Sequence, residues 1–248
     1  MTIFVDELHI SKENIIRNAL QEQIINHTLQ PGDKVPSENA LADEYQVKRI
    51  EVRNALVTME KMGLVESRQG VGRFIKKKIP TIELDISGRV SFSEKMRSQN
   101  LPYRSEVIHA DYVTDEEIRL YDDRINCGPD ERIFKVARLR IVYDIPCAIH
   151  ISYIREKFVP DIERDKNQLD SVFGYYQKEG FTNLKSKTSV ISTAFPTIDE
   201  QQILKCNELV PLFIYETDTH DEERGIQLEF VRILYRSDLF KHKLITSQ

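Results

Sequence analysis

Five apolar residues, Val52, Ala55, Leu56, Met59 and Met62, fall on one stripe of a helix covering residues 49–62 when each step turns 100°. Gly63 follows, where a helix end favours a residue that tolerates left-handed backbone. A stripe of this kind is a core face and has to be covered. Upstream, residues 12–29 place Ile16, Leu20, Ile24 and Ile25 near helical spacing until Gln30-Pro31-Gly32-Asp33 stops them. Ser37, directly after Pro36, is an N-cap for a short helix through Glu44 or Tyr45, and Gln46-Val47 breaks it before the striped helix begins. Downstream, residues 64–75 read as two short strands joined by a glycine-rich turn with basic residues at its tip. Three helices followed by a basic hairpin predict a winged helix-turn-helix.

Charge indicates what such a module faces. The 248-residue chain carries a formal net charge of −5, which, spread evenly, would count against nucleic-acid binding. It is not spread evenly. Between Lys48 and Lys78, the bases Lys48, Arg49, Arg53, Lys61, Arg68, Arg73 and the Lys76-Lys77-Lys78 run are opposed only by Glu51, Glu60 and Glu66. That asymmetry predicts a small basic module joined to a larger one with another task. In a winged helix-turn-helix the third helix enters the major groove and the wing follows the backbone or minor groove. Glycines let the wing turn approach phosphate, and arginines supply phosphate attraction and bidentate contacts to guanine. The lysine run reads as a solvated linker first and as a phosphate contact second. Glu51 keeps two readings. Lys48 has no acceptor to cap the helix, so Glu51 as the N3 residue reaches back to the N-cap N–H; alternatively it accepts from a cytosine amino group.

The run Gln30-Pro31-Gly32-Asp33-Lys34-Val35-Pro36-Ser37-Glu38, then Val52-Arg53 with Ala55-Leu56, then Gly63-Leu64-Val65 and Arg68-Gln69-Gly70, resembles the GntR family of bacterial transcription regulators over residues 12–76. The resemblance implies DNA contacts from Asn39, Lys48, Arg49, Glu51, Arg53, Gln69, Gly70, Gly72 and Arg73. Asn39, Lys48, Glu51 and Arg73 stand where the family usually carries arginine, serine, threonine and threonine. The family's phosphate-anchoring frame is therefore expected to carry over, and its consensus operator is not.

Beyond a connector at residues 79–88, strands mix with short helices. Residues 105–112 form an expected strand, Thr114-Asp115-Glu116-Glu117 a capping box opening a helix to about Ile125, and residues 133–142 and 147–154 a strand pair about Asp144-Ile145-Pro146. The order recurs as a strand at 185–195, a second capping box at Thr197-Ile198-Asp199-Glu200 with a helix to about Asn207, and a hairpin of residues 212–217 and 226–235. This internal repeat predicts an α+β domain built on an antiparallel sheet. Strand alternation puts Arg138 and Arg140 on one face, where they read either as an anion site or as surface arginines answering acidic surroundings.

Gly88-Arg89-Val90-Ser91-Phe92-Ser93-Glu94-Lys95-Met96, Arg138-Leu139-Arg140, Ile145-Pro146, Ser152-Tyr153 and Tyr235-Arg236-Ser237-Asp238 resemble the UTRA effector-binding domain of the HutC subfamily. The resemblance implies a chorismate-lyase-like fold, a homodimer formed through this domain, and a small anionic effector, often a sugar phosphate. Ser91 and Ser93 become hydroxyl donors from a loop, Arg138 and Arg140 the anion clamp, and Ser171 and Glu229 further contacts. His150 stands where glutamate is frequent and Phe173 where tyrosine is frequent, so the group reading the rest of the ligand has changed. The expected division is residues 1–76 for DNA binding, 77–87 as linker and 88–248 for effector binding and dimerisation.

Other classes find less support. The six histidines are scattered, there is no nucleophile elbow, and the wing glycines do not open a helix as a phosphate loop does, so no enzyme and no cofactor are expected. No apolar run approaches membrane-spanning length, and the acidic N-terminal segment lacks a secretory pattern. Cys127, Cys147 and Cys206, odd in number and far apart, fit reduced thiols. These features predict a cytoplasmic regulator, more readily a repressor, with double-stranded operator DNA as partner. A DNA-binding protein without an effector is the alternative.

Overall fold

A computed structural model describes residues 11–76, 82–86, 91–128 and 130–243. Lys77 and Lys78, residues 79–81 and 87 of the expected linker, and Gly88-Arg89-Val90 lie outside these. The chain divides into two compact units, the first joining the N-terminal residues with 207–210 and the second holding the rest.

The first unit contains α1 (Lys12–Ile25), α2 (Glu38–Tyr45), α3 (Arg49–Lys61) and a hairpin of β1 (Val65–Arg68) and β2 (Gly72–Ile75). Ser11 and Ser37 cap α1 and α2, accepting from the Asn14 and Ala40 N–H groups at 3.2 and 3.1 Å. Helix α1 ends earlier than its apolar spacing suggests. The Asn26 side chain accepts from Thr28 N–H at 3.1 Å and His27 is left-handed (φ 63°), which leaves Ile25 exposed. The stripe of α3 behaves as expected: Val52, Ala55, Leu56 and Met59 are buried against Ile16, Leu20, Val35, Leu41, Val65 and Ile75, with Met62 half-buried. Gly63 ends the helix at φ 72°.

The second unit opens with β3 (Ile82–Asp85), inside the stretch expected to be linker. The reason lies in the sequence: Ile82 and Leu84 are buried while Glu83 is exposed, a period of two that suits a strand. It pairs in parallel with β11 (Phe240–Lys243). Between them run α4 (Phe92–Ser98), β4 (Tyr103–Tyr112), α5 (Asp115–Arg119), α6 (Asp122–Ile125), β5 (Ile133–Val142), β6 (Ile145–Arg155), α7 (Val172–Lys178), β7 (Leu184–Lys185), β8 (Ser189–Ala194), α8 (Ile198–Leu204), β9 (Leu212–Asp221) and β10 (Ile226–Arg236).

The antiparallel sheet runs β4-β5-β6-β10-β9-β7, with β8 also pairing β9. The hairpins β5–β6 and β9–β10 thus stand back to back, each with its preceding strand outside it, which is the internal repeat laid out in space. Local chemistry adjusts the expected elements. The first hairpin turns at Tyr143 and Asp144, both left-handed, and Pro146 sits in β6 beside a bulge. The helix after Thr114 breaks in two. Glu117, instead of reaching back to its cap, accepts from Lys135 Nζ at 2.5 Å and Tyr153 OH at 3.1 Å. The strand expected at 185–195 is interrupted because the Lys187 and Thr188 N–H groups turn to Asp218 Oδ1 at 2.7 and 3.1 Å.

Leu56→Ala removes a fully buried side chain from the α3 stripe and is expected to destabilise the first unit by about 2–5 kcal/mol. Denaturant unfolding followed by circular dichroism measures it.

Candidate functional site

In the first unit the N-terminus of α3 displays the capping one of the two readings of Glu51. Its Oε2 accepts the Lys48 N–H at 2.8 Å, the reach-back half of a capping box, while the Lys48 ammonium, having no acceptor, leaves the other half empty. Lys48, Arg53, Gln69, Gly70, Gly72 and Asn39 are exposed. Gly70 (φ 72°) and Gly72 (φ 131°) make the wing turn, and a Cβ at Gly72 would lie 3.0 Å from Lys34 Cε. Asn39, Arg49, Gly72 and Arg73 border one concavity together with Lys34.

Two carboxylates organise that concavity, and neither was singled out from the sequence as a site residue. Glu38 accepts from Arg73 Nη1 and from Arg49 Nε, each at 2.8 Å, and Glu60 accepts from Arg73 Nε at 2.8 Å. The Arg73 and Arg49 hydrogen bonds hold the Glu38 carboxyl below the usual carboxylate range. Arg73, with its side chain 20% exposed, therefore ties β2 to α2 and α3. Lys48 and Arg53 have no carboxylate partner among the described residues.

In the second unit Arg138 and Arg140 are only 2% and 3% exposed, so they are not surface arginines. Arg138 Nη2 donates to Ser152 Oγ at 2.7 Å. Arg140 donates through Nη1 to Ser105 Oγ at 2.6 Å and to the Asp170 carbonyl at 2.9 Å. Burial lowers Arg138 to about 10, and burial together with the Arg138 charge lowers Arg140 to about 9, so both remain cationic at neutral pH. Glu229 Oε1 accepts from Thr219 at 2.9 Å, and its carboxyl is raised by burial against the opposing charge of Arg138. Arg138 Nε, Arg140 Nε, Glu229 Oε2 and Tyr176 OH are buried without a partner. Four orphaned polar atoms in one region are the mark of a site built for something polar.

Above them lie two adjoining cavities of about 90 and 230 Å³ that share Ser91 and Phe173. His150 and Glu229 border the smaller; Ser93 and Ser171 border the larger. The structure corrects the loop assignment of the serines. Ser91 caps α4, donating to Glu94 Oε2 at 2.8 Å and accepting from Glu94 N–H at 3.3 Å, and Ser93 lies inside the helix. The Ser91-Phe92-Ser93-Glu94 spacing is itself a capping box, so this was legible. Ser171 caps α7, accepting from Gly174 N–H at 3.2 Å. Arg138 and Arg140 border neither cavity and lie beneath them, Arg140 under the Phe92 ring at 5.2 Å. Ser105 and Thr219, which hold charged groups, gave no sequence signal, and Ser152 entered only as part of the family motif without a role, because all three come from strands brought alongside only by the sheet. Among the described residues no group of His, Cys, Asp and Glu could hold a metal, and no helix is long and apolar enough to cross a membrane.

Comparison with known proteins agrees with both geometries. Residues 12–75 match the model of bacterial regulatory proteins of the gntR family, and residues 98–241 match the UTRA domain. The chain is 27% identical to the HTH-type transcriptional repressor NagR of Bacillus subtilis over 225 residues, covering 91% of this chain and 90% of NagR. It is 24% identical over 233 residues to the mannosyl-D-glycerate transport/metabolism system repressor MngR of Escherichia coli, covering 94% and 95%. PhnF from Mycobacterium smegmatis shares the fold with a TM-score of 0.59 at 20% identity, covering 94% of this chain and 99% of that one.

Glu51→Ala removes the reach-back hydrogen bond at α3 and is expected to cost about 0.5–2 kcal/mol, read as a lower thermal midpoint. An unchanged midpoint would assign the carboxylate to the DNA instead.

Proposed function

Because the chain belongs to the gntR family of bacterial regulatory proteins and carries a UTRA domain, we propose that this transcriptional regulator is a repressor released from operator DNA by a small anionic effector. The observation that carries the effector half is the buried arginine pair. Two guanidinium groups with unpartnered Nε atoms lie next to the cavities, Arg140 against the Phe92 ring that borders one of them, and an anionic oxygen is the group they lack. A phosphorylated sugar suits that chemistry, and one relative reported above is the repressor of a mannosyl-D-glycerate transport/metabolism system.

For the DNA half, the unpaired cations Lys48 and Arg53 contact phosphates on either side of the α3 N-terminus, and Gln69, Gly70 and Gly72 bring the wing to the backbone. Arg49 and Asn39 approach base edges, while Arg73 sets the wing against α2 and α3. Glu51 keeps one oxygen, Oε1, for a cytosine amino group. In this reading the protein acts in the cytoplasm as a homodimer, and its two-fold symmetry matches a near-palindromic operator. Effector binding changes the operator affinity only through unequal affinity for the DNA-competent and released arrangements.

Arg53→Ala is expected to weaken binding to every DNA sequence and to lower the slope of log K against log salt by about 0.9. Fluorescence anisotropy across a salt series measures it, and an unchanged slope would remove Arg53 from the phosphate contacts. Arg138→Ala is expected to leave DNA affinity intact while abolishing release by phosphorylated sugars in the same assay. Release that survives would place the anion elsewhere.

A further inference from the structure

The smaller cavity holds two hydrogen-bond donors that the phosphate reading does not use. Lys95, on α4, is half-buried and borders the cavity. Among the described residues its ammonium makes no hydrogen bond or ion pair, and burial pulls it below the usual lysine range against the opposing charge of Asp85. Lys185, on the same cavity, is unlike it, since Lys185 Nζ faces Glu222 at 3.6 Å.

His150 supplies the second donor by elimination. Arg140 Nη2 lies 3.3 Å from His150 Nδ1, and a guanidinium nitrogen can only donate, so Nδ1 must be the acceptor. Burial and the charges of Arg138, Arg140 and Lys95 hold the imidazole neutral. A neutral ring accepting at Nδ1 carries its proton on Nε2, and none of the described residues accepts that proton.

The acidic groups on this cavity are turned to other partners through at least one oxygen each. Asp218 accepts from the Lys187 and Thr188 N–H groups and faces His220 at 3.3 Å. Glu229 accepts from Thr219 through Oε1 and sits in the field of Arg138, with Oε2 still open. What remains open is a charged N–H donor and a neutral N–H donor bordering the same cavity. They adjoin the larger cavity through Ser91 and Phe173.

We propose that the effector is a phosphorylated carboxylic acid, whose carboxylate seats between Lys95 Nζ and His150 Nε2 while its phosphate meets the Arg138 and Arg140 end. This rests on the effector reading above and narrows it from one anionic group to two. A sugar phosphate whose far end carries only hydroxyls leaves Lys95 without a hydrogen-bonded anion. The corresponding acid supplies it.

Isothermal titration of the full chain with matched pairs tests this: 6-phosphogluconate against glucose 6-phosphate, and 3-phosphoglycerate against glycerol 3-phosphate. In at least one pair the acid is expected to bind about tenfold tighter or more, the scale of one hydrogen-bonded charge pair. Lys95→Met, which keeps the length of the side chain, is expected to erase that preference and leave the non-acid within about twofold. Lys95→Arg, which keeps the charge, is expected to retain the preference. Equal binding of acid and non-acid by the wild type overturns the carboxylate and leaves the phosphate reading standing. A preference that persists in Lys95→Met overturns the seat at Lys95. A wild type that binds none of the four overturns both readings.

Discussion

Two positive charges buried side by side on one strand are the constraint around which the second unit is arranged. Desolvating each guanidinium costs on the order of several kcal/mol, and the two repel one another. The chain offsets this with neutral acceptors brought from elsewhere: Ser152 from β6, Ser105 from β4, the Asp170 carbonyl ahead of α7, and His150 from β6. The one buried carboxylate acting on Arg138, Glu229, comes from β10 on the far side of the sheet's central pair. None of these compensations is complete, and the Nε atoms stay unpartnered. In the proposed reading, an anion supplies the acceptor that these atoms lack.

The first unit solves an opposite problem with the same groups. A surface meant for DNA must hold its arginines in place without neutralising them all. Glu38 and Glu60 draw Arg73 inward and Glu38 holds Arg49 by one nitrogen, while Lys48 and Arg53 have no such partner among the described residues. The carboxylates act as positioning groups, and the exposed cations remain available for phosphate. Glu51, set among those bases, ties down the first turn of the helix that presents them.

Legibility followed the range of the interactions. The helix caps at Ser37 and Thr197, the stripe of α3, the Gly63 stop and the repeated order of strand, helix and hairpin all depend on neighbours within a few residues, and each was readable from sequence. The buried state of Arg138 and Arg140 was not, because strand alternation gives a face but not whether that face is covered. Their partners were hidden for the same reason, since Ser105 and Asp170 lie 35 and 30 residues from Arg140. Misreadings arose where a local signal had a longer-range competitor. Glu117 had the spacing of a capping box, and Lys135 and Tyr153 took its carboxylate. Ile82–Asp85 looked like a connector because its strand partner lies at the other end of the chain, at Phe240–Lys243.

Regulation by an effector requires that anion binding and operator binding be linked in one molecule. The most direct measurement is a footprint of the purified full chain on genomic DNA fragments, with and without a panel of phosphorylated sugars and phosphorylated acids. The predicted result is a two-fold symmetric protected site that opens when one of these anions is added. A protected site that every anion leaves untouched would contradict it.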